Sequence, residues 1–161
     1  MNKPKRKPGK APQPSVFELE LFLPYRLSLL TNTVSQGIAR GYRQQYDISV
    51  TEWRILAVLG RFPGLAAKEI AQRTAMDKVA VSRAVKTLVE KNLLQRITDP
   101  TDRRRLALHI TPDKGKQLLE EVVPLARAYE QKLLSALNPV ERTALSSAIK
   151  KLQQKATSLK A

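Results

Sequence analysis

Residues 66–111 read AAKEIAQRTAMDKVAVSRAVKTLVEKNLLQRITDPTDRRRLALHIT, and the punctuation of this stretch decides the fold. A short helix is expected over 66–73, a break over 74–77, and a second helix from Lys78 to about Lys91, which Asn92 can end in a left-handed conformation. Two short segments follow, Leu94–Thr98 and Leu106–Ile110. In the second, Leu106, Leu108 and Ile110 alternate with Ala107 and His109, which is strand periodicity. The connection DPTDRRR holds a proline and five charges, so the hairpin tip must be exposed. Helix, turn, helix and hairpin in this order predict a helix-turn-helix followed by a two-stranded wing, a unit that reads DNA.

The flanks are helical. Upstream, Ser49 and Glu52 form a capping box that opens a helix through Trp53, Leu56 and Leu59, stopping near residues 60–64 around Pro63. Before it, Leu27, Leu30, Val34, Ile38, Tyr42 and Tyr46 recur at helical spacing. They predict one long helix running to about Tyr46, opened by a Ser15/Glu18 capping box, with Pro24 either kinking it or marking its first turn. Downstream, Thr111 is expected to cap a helix with Pro112 at its first position and Leu118, Val122, Leu125, Tyr129 and Leu133 on one face to about Leu137. Asn138, Pro139 and Glu141 repeat the device ahead of Leu145, Ile149, Leu152 and Ala156. Residues 1–14, MNKPKRKPGKAPQP, combine four prolines with five cations and no acid, and are expected to be a disordered basic arm, serving either phosphate attraction or solubility.

Composition removes whole classes of function. The 161 residues contain no cysteine and one histidine, which excludes disulfide scaffolds, thiolate metal sites, cysteine nucleophiles and thiol-based redox sensing. Neither a catalytic constellation, a metal site nor a cofactor motif can be assembled, so no enzyme is expected. His109 is expected to meet solvent or a phosphate. Lys and Arg number 29 against 14 Asp and Glu, a net charge of +15, which points to a polyanionic partner. Apolar runs are too short to span a membrane and no signal peptide is recognised, so a cytoplasmic protein without membrane contact is expected.

The helix from Lys78 divides into two faces. Val81, Val85, Leu88 and Val89 are expected to point inward, and Lys78, Val79, Ala80, Ser82, Arg83 and Lys86 outward. Arg83 suits a bidentate pair with guanine O6 and N7, and Val79 and Ala80 suit a thymine methyl. Ser82, Lys78 and Lys86 suit phosphates. In the wing, Arg103, Arg104 and Arg105 crowd one turn. A phosphate backbone or narrow minor groove would relieve their repulsion, with Asp99 and Asp102 orienting the guanidinium groups.

The stretch from Ala67 to Leu119, with Asp-Arg-Arg in the wing and the helix-opening Thr-Pro, closely resembles the MarR-type winged-helix transcriptional regulators, and the flanking helices match in length and order. Asn92 stands where that family often has glycine, a change the same conformation tolerates. The resemblance implies a mainly α fold with a small β-hairpin wing, a winged helix-turn-helix flanked by long dimerisation helices. Its segments would be an arm (1–14), an N-terminal dimerisation helix (15–48), a DNA-binding lobe (49–111) and C-terminal dimerisation helices (112–161). It also implies a homodimer on a palindromic operator, most often a repressor released by a small-molecule effector. The flanking helices carry more apolar residues than a small lobe can cover, which supports a dimer independently.

Members of the family respond to aromatic carboxylates or related phenols, and in some cases to coenzyme A thioesters of such acids. Tyr25, Arg26 and Ser28 on the first helix, with Trp53 and Arg54 on the second, could supply aromatic walls, a hydroxyl and a cation for such a carboxylate. Core packing for Tyr25 and Trp53, and ordinary ion pairs for Arg26 and Arg54, are the competing roles. The rival function is a non-sequence-specific architectural protein using its charge alone, which would bind all DNA alike with a steep salt slope.

Overall fold

A computed structural model describes residues 17–98 and 106–159. The chain divides into two units, residues 1–33 and 34–161.

In the first unit a 3-10 turn, Leu19–Leu21, precedes helix α1 (Leu23–Arg40), whose residues from 34 onward belong to the second unit. Pro24 sits in the first turn of α1, where its missing N–H costs nothing. The helix therefore opens at Leu23 rather than near Ser15, which lies outside the described residues. Phe17 and Phe22 meet edge to face, their centroids 5.2 Å apart. The apolar side chains of this unit, Leu27 and Leu30 among them, stay exposed.

In the second unit, the helix expected to run unbroken to Tyr46 ends at Arg40. Gly41 and Tyr42 turn, and a separate short helix α2 (Arg43–Tyr46) follows. Gly41 N–H and Tyr42 N–H bond three residues back, to Ile38 and Ala39 carbonyls at 3.0 and 3.2 Å, so the last turn tightens before it breaks. Glycine is a weak helix former, and the break lets Tyr42 become fully buried.

Helix α3 (Val50–Arg61) opens with the expected capping box: Ser49 N–H donates to Glu52 Oε2 at 2.6 Å and Glu52 N–H to Ser49 Oγ at 3.2 Å. Helix α4 (Ala67–Thr74) ends at Ala75 with φ 52°, and α5 (Lys78–Glu90) follows the turn. Asn92 has φ 58°, the left-handed stop expected of it. Strands β1 (Leu94–Thr98) and β2 (Leu106–Ile110) pair antiparallel from Leu94 with Ile110 to Thr98 with Leu106. Leu65 adds a bridge to Leu108 on the other edge of β2.

The clean alternation expected of β2 is absent. Ala107 and Leu108 are both buried and Leu106 is exposed, while in β1 only Leu94 is buried. Burial in β1 is confined to its base, whereas in β2 it is greatest around Leu108, where Leu65 covers the second edge of the strand.

Helix α6 (Lys114–Leu134) starts two residues later and stops earlier than its sequence suggests. Thr111 still serves its start: Thr111 Oγ1 accepts from Gly115 N–H and donates to the Asn92 carbonyl, both at 2.9 Å. The wing exit and the helix start are thereby joined in one bond chain. Helix α7 (Pro139–Ser158) begins with the expected capping box, Asn138 Oδ1 accepting from Val140 and Glu141 N–H. The core is built by Ile55, Leu56, Leu59, Ile70, Val81, Leu88, Leu94 and Val122, whereas α7 buries no residue.

Candidate nucleic-acid interface

The first turn of α5 is preset by its cap. Asp77 Oδ1 accepts from both Val79 and Ala80 N–H at 2.9 Å, which satisfies two of the orphan donors of a helix start. Val81, Val85 and Leu88 then go into the core and Val89 is half-buried, as their spacing predicts; Ala84 joins them. Lys78, Val79, Ala80, Ser82, Arg83 and Lys86 all lie exposed on the other side, Val79 at 57%. Lys86 makes only a loose pair with Glu90, 3.8 Å apart and open to water, a contact worth little. Among the described residues no carboxylate pairs with Lys78 or Arg83. The face thus presents free cations, a hydroxyl and two small apolar groups on a rigid rod, which suits base edges and phosphates in a major groove.

The wing residues Asp99, Asp102, Arg103, Arg104 and Arg105 lie outside the described residues. His109 is half-buried, with its ring beside Gly64.

Two features escaped the sequence reading. Arg73 Cζ lies 4.2 Å, and Arg61 Cζ 5.2 Å, from the centroid of the Phe62 ring, two cations on one aromatic side chain. Lys91, at the end of α5, reaches back to Asp47 and Glu52. Arg73 and Lys91 each reach residues distant in sequence, and no local pattern signals these contacts.

The candidate effector residues fall in both units. In the first, Tyr25 and Arg26 line a surface recess with Leu29 and Leu30, and Ser28 is exposed outside it. In the second, Trp53 tilts against Tyr42 with centroids 5.7 Å apart and lines a largely apolar cavity of about 380 Å³ with Ile38, Val123, Arg127, Tyr129 and Leu133. Arg54 Nη2 donates to Ser35 Oγ at 2.8 Å rather than to a carboxylate. Burial pushes the Tyr42 phenol up from its ordinary pKa, opposed by Arg43 and Arg54 nearby. Tyr46 donates to Glu121, a bond that raises the tyrosine. The same bond, with a second from Gln117, holds Glu121 below the ordinary carboxylate range.

Among the described residues no group of His, Asp and Glu could hold a metal ion, and no helix is long and apolar enough to cross a membrane.

Comparison with known proteins agrees with this architecture. The MarR family profile matches residues 46–105. A regulatory protein assigned to the hcr operon of Thauera aromatica is 30% identical over 128 residues, covering 80% of this chain and 70% of its own. A MarR/EmrR family transcriptional regulator from Acinetobacter sp. ADP1 superposes with a TM-score of 0.77 at 30% identity, covering 84% of this chain and 94% of its own. BpsR of Bordetella bronchiseptica, whose DNA binding is regulated by 6-hydroxynicotinic acid, gives 0.74 at 25% identity over 88% of this chain and 98% of its own. These relatives are regulators, not enzymes. With its winged helix-turn-helix, the cationic face of α5 and relatives of this coverage and identity, the chain belongs to the MarR family of DNA-binding transcriptional regulators.

Proposed function

We propose that this regulator is a homodimeric repressor that holds a palindromic operator and is released from it by a small aromatic carboxylate or its coenzyme A thioester. The observation that carries the reading is the exposed face of α5. Arg83 reads guanine, Val79 and Ala80 meet a thymine methyl, and Lys78, Ser82 and Lys86 hold phosphates. Arg103, Arg104 and Arg105, oriented by Asp99 and Asp102, reach the adjacent backbone or minor groove. Twofold pairing is supported by the apolar side chains left exposed on α7, Leu145, Ile149 and Leu152, and on the first unit. Such a dimer sets its two reading helices about one DNA turn, about 34 Å, apart. It would work where the DNA is, in the cytoplasm.

An aromatic acid is favoured by the similarity to BpsR and by the cavity beside Trp53, where Tyr129 and Arg127 offer a hydroxyl and a cation. Arg54 of the same unit is a further candidate for holding it, and Tyr25, Arg26 and Ser28 of the first unit are the alternative to this cavity.

The test is fluorescence anisotropy with a duplex selected from a random pool by the wild-type protein, at near-physiological salt. A repressor prefers that duplex to a scrambled one by about a thousandfold or more. Arg83→Ala reduces this preference, and Arg104→Ala weakens both complexes with a shallower salt slope. Aromatic acids and their thioesters, added in turn, should include one that releases the duplex. Equal binding to both duplexes would instead establish the architectural role that the +15 charge alone could support.

A further inference from the structure

The two ends of α5 are held differently. Its start is capped locally by Asp77, whereas its end is tied to the corner between α2 and α3. Lys91, which closes α5, donates to the main-chain carbonyl of Asp47 and lies 3.1 Å from Asp47 Oδ2 and 3.8 Å from Glu52 Oε1. Asp47 is left-handed, φ 48° and ψ 46°. The Glu52 side chain is only 7% exposed and its other oxygen is engaged by Ser49 N–H, so Lys91 supplies the counter-charge for a carboxylate withdrawn from water. The corner is itself anchored. Tyr46 donates to Glu121 of α6, and Glu121 also accepts from Gln117 at 2.9 Å.

We infer that Lys91 is a positioning residue for base reading: it sets the angle at which α5 presents Arg83. The inference rests on α5 being the reading helix. With 13 residues α5 is about 18 Å long, so freeing its end by about 2 Å tilts it by about 6° and moves Arg83 by about 1 Å. A binding group must be held to about 0.5 Å, so such a shift spoils a bidentate pair while leaving phosphate attraction intact. The Lys91 ammonium is committed to three oxygens and its side chain is 28% exposed, which separates it from the open lysines of the reading face.

Anisotropy with the selected and scrambled duplexes tests this on the full chain, across a salt series. Lys91→Met is expected to lower the selected-to-scrambled affinity ratio about tenfold with the salt slope unchanged, and Lys91→Arg to restore most of it. Should Lys91→Met fail to fold, Lys91→Met with Glu52→Gln removes the stranded charge, keeps the bond to Ser49 N–H, and is expected to show the same loss. An unchanged ratio in the folded variant, or a salt slope reduced by about one with both duplexes weakened equally, overturns the inference. Arg83→Ala separates the two claims: if it leaves the ratio unchanged, the reading of α5 fails. If it lowers the ratio and the Lys91 variants do not, only the positioning role fails.

Discussion

Helix propensity and tertiary packing make opposite statements about Gly115, and a single substitution decides between them. Gly115 is the second residue of α6, where alanine should stabilise by up to about 1 kcal/mol on propensity. A Cβ built there meets three atoms at once: the Leu93 carbonyl oxygen, Ile110 Cγ2 at 2.7 Å and Thr111 Oγ1 at 2.8 Å. One of these is backbone and another is the hydroxyl that joins Asn92 to Gly115 N–H, so neither of these two yields by a simple rotamer change. Overpacking costs about 1–3 kcal/mol, and three simultaneous overlaps argue for the upper end. Subtracting the propensity gain leaves a net loss of about 2 kcal/mol, a fall in Tm of about 4–8 °C for a chain of this length.

Gly60 in α3 is the control. Its Cβ meets only the end of the Leu119 side chain, at 3.0 Å, and Ile110 Cδ1, at 3.8 Å. Gly60→Ala should therefore be neutral or stabilising, by about 0.5 kcal/mol once Leu119 has moved. Urea unfolding followed by circular dichroism at one fixed protein concentration gives both numbers. A Gly115→Ala protein as stable as the wild type would refute the packing at the wing-to-α6 junction.

Three further substitutions probe single contacts. Asp77→Ala removes the cap of α5 and should cost about 1 kcal/mol in urea unfolding, while loosening the turn that carries Val79 and Ala80 and thus lowering duplex selectivity. Tyr42→Phe deletes a buried hydroxyl that has no hydrogen-bond partner among the described residues, and should raise stability by about 1 kcal/mol; a loss of stability would show that the hydroxyl is satisfied. Tyr46→Phe tests the bond to Glu121 through pH. Glu121 is depressed, so its contribution is present above its ordinary pKa of 4.5 and fades as pH falls through the depressed value. Tyr46 is raised, so its contribution is present below 10.0 and fades as pH rises through the raised value. The variant should flatten both limbs of the stability–pH curve and return the Glu121 carboxyl NMR titration toward 4.5.

Much of the architecture is legible in the sequence, because it is written in local chemistry. Ser49 with Glu52, Asn138 with Glu141 and the left-handed Asn92 each act within a few residues. The two faces of α5 follow from helical spacing alone. Where the reading failed, the deciding atoms lay farther off. Gly41 and Tyr42 break the long helix because burying Tyr42 outweighs continuing a pattern. Thr111 shares its hydroxyl between the Asn92 carbonyl and Gly115 N–H instead of capping a helix that starts at Pro112.

The same division applies to the candidate site. Which side chains α5 turns outward is a matter of spacing, and sequence alone determined it. That Lys91 grips Asp47 and Glu52, that Arg54 bonds Ser35, and that Arg61 and Arg73 share Phe62 were decided only by tertiary structure. Such contacts join residues 11 to 44 positions apart, or in the case of Arg61 a neighbour, through the path of the backbone between helices. Periodicity and capping act over one or two helical turns and carry no information about that path.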